Sequence, residues 1–127
     1  MADSSKTDFV LTAITAAFID KDFSAIDKYW ADTYIQHNPM GPSGSAALKG
    51  LLESAGANLR YEIGFAVGEG DIVMVHGRFT GYGPKPMVGV DIYRVADGKI
   101  AEHWDVLQEE TTETVSGLPM FDPGEAN

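Results

Sequence analysis

Between residues 8 and 19 the apolar positions Phe9, Val10, Ala13, Ile14, Ala17 and Phe18 recur at the spacing of one buried helical face. The spacing predicts a helix over 8–19, with Thr7 or Asp8 as its cap. A second short helix is predicted over 24–31, with Ile26, Tyr29 and Trp30 inward and Ser24 with Asp27 as a weak capping box. Tyr34-Ile35-Gln36-His37 reads as a brief extended piece that Asn38-Pro39 halts, and after the loop at 41–44 Ser45 caps a helix through Leu52 or Glu53. Beyond Gly56-Ala57-Asn58 the period changes to two, as Leu59, Tyr61, Ile63, Phe65 and Val67 alternate with Arg60, Glu62, Gly64 and Ala66. Further strands are predicted over 72–81, 87–95 and 99–109, and Asp97-Gly98 marks a hairpin. Residues 110–127 are acidic and contain Gly and Pro, so a partly irregular tail is expected. Helices followed by an antiparallel meander predict an α+β fold. In it the N-terminal helices cover a strongly curved, mostly antiparallel sheet and so enclose a cone with a pocket at its open end.

Composition narrows the partners. A chain of 127 residues, 44% of them hydrophobic, fits one globular domain spanning 1–127. Nine basic against nineteen acidic residues give a net charge of -10, a field that repels nucleic acid and anionic membranes. The absence of cysteine excludes disulfides, thiolate nucleophiles and zinc–thiolate sites. The opening MADSSKTDF lacks the apolar core of a signal peptide, and no run has transmembrane length, so the expected location is the cytoplasm.

Candidate chemistry concentrates in the last two strands. Period two puts His103 and Asp105 on one face with Ala101 and Leu107, and puts Glu102, Trp104 and Val106 on the other. Asp91 and Tyr93 likewise share a face, opposite Val90, Ile92 and Arg94. The hairpin between these strands can close in two registers. A two-residue loop at Asp97-Gly98 pairs Val95 with Ile100 and sets Asp91 opposite Trp104. A type I turn over Ala96-Asp97 with a glycine bulge pairs Val95 with Lys99 and sets Asp91 opposite His103. The second is preferred, because Ala96 suits a type I turn and resists positive φ. His76 shares a strand face with Ile72, Met74 and Arg78, and His37 ends the short extended piece. A strand histidine is most simply a structural residue, and Trp30, Tyr34 and Met40 are most simply core or pocket wall. His37, His76 and His103 with Asp91 or Asp105 could compose a metal site, but no paired ligand motif such as HExxH is present, so no metal is expected.

The segments YIQHNP (34–39), VGVDIYRVADGKIAEHWDVLQ (88–108) and GLPMF (117–121) resemble the SnoaL-like branch of the nuclear-transport-factor-2-like superfamily, whose namesakes are polyketide cyclases catalysing an intramolecular aldol closure. The resemblance implies the cone-shaped, cystatin-like α+β barrel, a deep pocket and a homodimer through the outer sheet face. It also implies Asp105 as acid/base and His37 as a substrate-binding partner in catalysis. The polar position on the preceding strand, a histidine in those cyclases, is Asp91 here and adds a carboxylate to the pocket.

The expected activity is therefore cofactor-independent general acid–base chemistry on a small, hydrophobic, carbonyl-containing molecule. Asp105 would be the base, with Asp91 and His37 as catalytic partners and His76, His103, Trp30 and Tyr93 contacting substrate. His37 or His76 would donate to the developing enolate oxygen. Two other readings stand beside it. One is water activation against an epoxide, although relatives of that kind carry Arg-x-Asp on one strand and residue 89 here is Gly. The other is a non-catalytic ligand-binding or dimerisation module, since this fold carries enzymes and binding modules alike.

Overall fold

The computed structural model describes residues 4–123. Its N-terminal half is helical. Helix α1 (Ser5–Ile14) continues into a π-helical turn at Thr15–Ile19, and α2 (Ser24–Tyr29) follows. Strand β1 (Trp30–Gln36), helix α3 (Ser45–Ala55) and a 3-10 turn at Gly56–Asn58 then lead to strands β2 (Arg60–Glu69), β3 (Ile72–Thr80), β4 (Met87–Ala96) and β5 (Lys99–Glu109). The expected caps do not form: Ser45 is the first residue of α3, with Gly44 at its N-cap position and no side-chain cap. Helix α1 starts before Thr7 and Asp8, and at α2 the Asp22 side chain, not Ser24, accepts a backbone N–H, that of Ser24 at 3.2 Å. The second helix also ends two residues early, because Trp30 takes extended backbone (φ -101, ψ 143) and begins β1.

The sheet order is β1-β5-β4-β3-β2, antiparallel except for β1, which runs parallel to β5. The helices lie against the concave face, where Val10, Ala13, Ile14, Ala17 and Phe18 meet Trp30, Val73, Val75, Val95 and Ile100 in one core. Pairing shifts by a residue in β2, between Ile63 and Ala66, and in β5, between Ile100 and Glu102. Such bulges bend and twist a strand, and here they curl the sheet into a cone. The fold is the α+β cone that the alternation predicts.

The hairpin between β4 and β5 closes through the two-residue alternative and not the preferred bulged turn, and beyond Val95 the ladder departs from both. Its loop is the two-residue Asp97-Gly98, both at positive φ (52° and 74°), with Ala96 paired to Lys99 and Val95 to Ile100. Aspartate tolerates the left-handed region because its short polar side chain bonds locally, so Ala96 is never asked to adopt it. The extra residue Ala101 then shifts the ladder, and Asp91 lies opposite Asp105 with Tyr93 opposite His103. Residues 110–123 form neither helix nor strand and fold back over the outer face, where Phe121 is buried and Arg78 stacks on its ring at 4.8 Å. The last four residues of the expected irregular tail, 124–127, lie outside the described residues. No helix among the described residues is long and apolar enough to cross a membrane.

Candidate active site

Alternation along three neighbouring strands aims one set of polar side chains into the cone. Asp91 and Tyr93 from β4, His103, Asp105 and Leu107 from β5, and Tyr34 and Gln36 from β1 all line a single cavity of about 530 Å³. Apolar side chains from the rest of the fold complete its walls. Phe18 comes from the π-helical turn, Leu48, Leu51 and Leu52 from α3, and Phe79 from β3. The cavity opens past Met40 (85% exposed) and Tyr82 (52% exposed), on the two loops that follow β1 and β3.

At the polar end, the Asp91 carboxylate lies 2.8 Å from His103 Nε2, and the Tyr61 hydroxyl donates to its other oxygen at 3.4 Å. Gln36 fixes the imidazole. The Asn38 backbone N–H donates to Gln36 Oε1 at 3.1 Å, which identifies that atom as the amide oxygen, and His103 Nδ1 lies 2.7 Å from it. Nδ1 therefore carries a proton, and the Nε2–Asp91 contact holds a second one shared between acid and imidazole. Burial pushes the Asp91 carboxyl above its ordinary 3.8, only partly offset by the bond and charge of His103. Asp91 and His103 thus act as one proton-holding pair. Asp105 differs. Asn38 Nδ2 donates to its Oδ2 at 2.7 Å, with the amide oriented by the Met40 backbone N–H on Oδ1. Among the described residues the second Asp105 oxygen takes no hydrogen bond, and its carboxylate stands 4.0 Å from His103 Nε2.

Glycine shapes this site twice. A Cβ on Gly77 would lie 2.6 Å from the Tyr61 hydroxyl, so the bare backbone lets that ring pass to Asp91. At Gly89 a Cβ would overlap the Val106 carbonyl and the Leu107 side chain, so no side chain fits two residues before Asp91.

Asp91, His103 and Asp105 each present one ligand atom within 4.8 Å of the others, the arrangement that could hold a cation. At Asp91 and His103 a cation would have to displace the proton held between them.

Of the residues expected from the sequence, Asp91, Tyr93, His103 and Asp105 meet in the cavity. Three others do not. His37 points to the outer face with its side chain 42% exposed, stacks on Trp104 with ring centroids 4.8 Å apart, and pairs with Glu102 at 2.7 Å. His76 lies on the outer face too, because Val75 and Gly77 on either side of it are the inward residues. Its ring packs beside Phe65 and Phe121 at 5.2 and 5.3 Å. Trp30 is core, edge-on to Phe18, and does not line the cavity. The sequence reading missed Gln36, Asn38 and Tyr61. Continuing the alternation from Tyr34 through Gln36 to Asn38 finds the first two and sends His37 outward.

Comparison with known proteins gives the same frame. The family model for the SnoaL-like domain matches residues 11–103. The fold is similar to that of TsrD from Streptomyces laurentii, with a TM-score of 0.69 at 20% identity over 84% of this chain and 91% of that one. It is also similar to a putative polyketide cyclase from Acidithiobacillus ferrooxidans, with a TM-score of 0.66 at 18% identity over 84% and 91%. A third likeness is to an LEH-like epoxide hydrolase of M. tuberculosis, with a TM-score of 0.63 at 19% identity over 77% and 79%. None of the curated proteins compared matches this chain. With nearly three quarters of its length inside the family model, the chain belongs to the SnoaL-like domain family.

Proposed function

We propose that the protein is a cofactor-independent enzyme that uses Asp105 as general base on a small carbonyl compound and the Asp91–His103 pair as its acid. The observation that carries this reading is the division of labour at the end of the cavity. One carboxylate is held by an amide with an oxygen to spare, and a second is bound to an imidazole through a shared proton. Paired titratable groups in unlike surroundings are the usual arrangement for acid–base work. Asp105 takes a proton from the carbon beside the substrate carbonyl, and the electron pair moves onto the carbonyl oxygen as an enolate. The enolate carbon then attacks a second carbonyl of the same molecule, and the new alkoxide takes the proton held by Asp91 and His103. Asp105 hands its proton back across the 4.0 Å gap to His103. Bonds and protons balance, with no oxidation.

The lining contains no Lys or Arg and two Asp, so the substrate is an uncharged, largely apolar molecule with its carbonyl at the deep end. Epoxide opening is the weaker reading, because an arginine two residues before Asp91 would overlap Val106 and Leu107. The homodimer belongs to the same proposal. Val67, Met74, Ile92 and Trp104 are successive partners across four strands of the outer face, and Val67 and Val106 are 60% and 70% exposed there. The direct test is turnover of β-keto ester or aldol substrates by wild type and Asp105→Asn. The variant is expected to lose about 100- to 10,000-fold. Undiminished turnover by a folded variant removes Asp105 from this role.

A further inference from the structure

Along β1 one hydroxyl, that of Tyr34, accepts a hydrogen bond and has no acceptor for its own proton among the described residues. Gln36 turns its amide oxygen to Asn38 and His103, so its amide nitrogen faces the other way and donates to the Tyr34 hydroxyl oxygen at 3.2 Å. Burial and the nearby Asp91 charge hold the Tyr34 hydroxyl well above its ordinary 10.0, so it keeps its proton, and the Trp30 indole N–H is buried without a hydrogen-bond partner. The Gln36 N–H thus takes up the Tyr34 oxygen from one side, and among the described residues nothing accepts the proton Tyr34 itself carries. Tyr34 lines the cavity beside Gln36 and His103. The other deep tyrosine, Tyr93, packs on the His103 ring at 4.9 Å, and no N–H among the described residues directs its hydroxyl.

We propose that Tyr34 is the hydrogen-bond donor to the substrate's carbonyl oxygen, with Gln36 as the positioning residue that turns its proton toward the ligand. The inference rests on the acid–base reading above, and it supplies the donor that His37 and His76 cannot, since both lie on the outer face. Polarisation along the run from Asn38 through Gln36 to Tyr34 strengthens the donor as negative charge develops on the ligand oxygen.

The test uses 4-nitrophenol, whose anion absorbs visible light, and the uncharged 4-nitroanisole of similar shape, both titrated into Asp105→Asn protein. The asparagine stands for Asp105 after it has taken the substrate's proton, and the phenolate oxygen stands for the enolate oxygen. The readout is the ratio of phenolate to anisole affinity, so a damaged cavity that weakens both leaves it unchanged. Tyr34→Phe in this background is expected to lower the ratio roughly 10- to 100-fold, and Gln36→Leu to lower it by less. Tyr93→Phe is expected to leave it unaltered. A ratio unmoved by Tyr34→Phe, a loss that follows Tyr93→Phe instead, or failure of phenolate to bind where anisole does overturns the proposal. If Asp105 is not the base, turnover survives Asp105→Asn while the ratio still reports on Tyr34 alone.

Discussion

Buried acids are costly unless a neighbour compensates them, and the two in this cavity are compensated differently. Asp105 keeps an amide donor, whereas Asp91 keeps a proton. The sign of the consequence follows from the raised Asp91 carboxyl. The folded chain binds that proton more tightly than the unfolded one, so its contribution to stability is complete below pH 3.8 and is lost as pH rises through the higher native value. Asp91→Asn has no such proton. Denaturation at a series of pH values is expected to show the wild-type advantage over this variant shrinking as pH rises, and a constant difference would contradict it. Gly77→Ala tests the Tyr61 contact, because a methyl 2.6 Å from the hydroxyl forces the ring off Asp91. The expected cost is about 1–3 kcal/mol in denaturant unfolding. At this scale the sequence was readable wherever a strand was long enough to show its period. Asp91, Tyr93, His103 and Asp105 separate cleanly from Ile92 and Trp104. Strand β1 is too short to show its period, and there the family resemblance points to His37 and not to the flanking Gln36 and Asn38.

Elements were legible in kind and less so in their joints. The four long strands announce themselves by alternation, but the bulge at Ala101 leaves no mark in composition, and it decides what Asp91 faces. The parallel pairing of β1 with β5 was equally hidden, because pairing partners depend on the path of the chain through α3 and not on β1 itself. The turn at Asp97-Gly98 is open to a simple check. Gly98 has φ 74° and nothing within 4 Å of a built Cβ, so Gly98→Ala meets no clash and only backbone strain. Calorimetry is expected to show a loss of about 1–2 kcal/mol with turnover unchanged. A neutral substitution would mean that the hairpin closes another way.

On the scale of the whole molecule, the cone gives the sheet two surfaces that both carry apolar side chains. The concave one holds the cavity, and the convex one carries Val67, Met74 and Val106 in the open. Sedimentation is expected to find a dimer that Met74→Asp combined with Val106→Asp dissociates, since stable interfaces bury about 800 Å² on each partner and tolerate no unpaired charge at their centre. Fold class and family could be read from the chain because helices before a meander, together with the last hairpin, are features of long segments. The substrate could not, because a cavity's shape is the product of side chains drawn from every element. The acid–base claim itself is tested most directly by deuterium. A β-keto ester kept in heavy water with the protein should exchange the hydrogen beside its carbonyl, and Asp105→Asn should slow this at least 100-fold, on the order of what a positioned base supplies. Equal exchange by a folded Asp105→Asn protein would contradict the account.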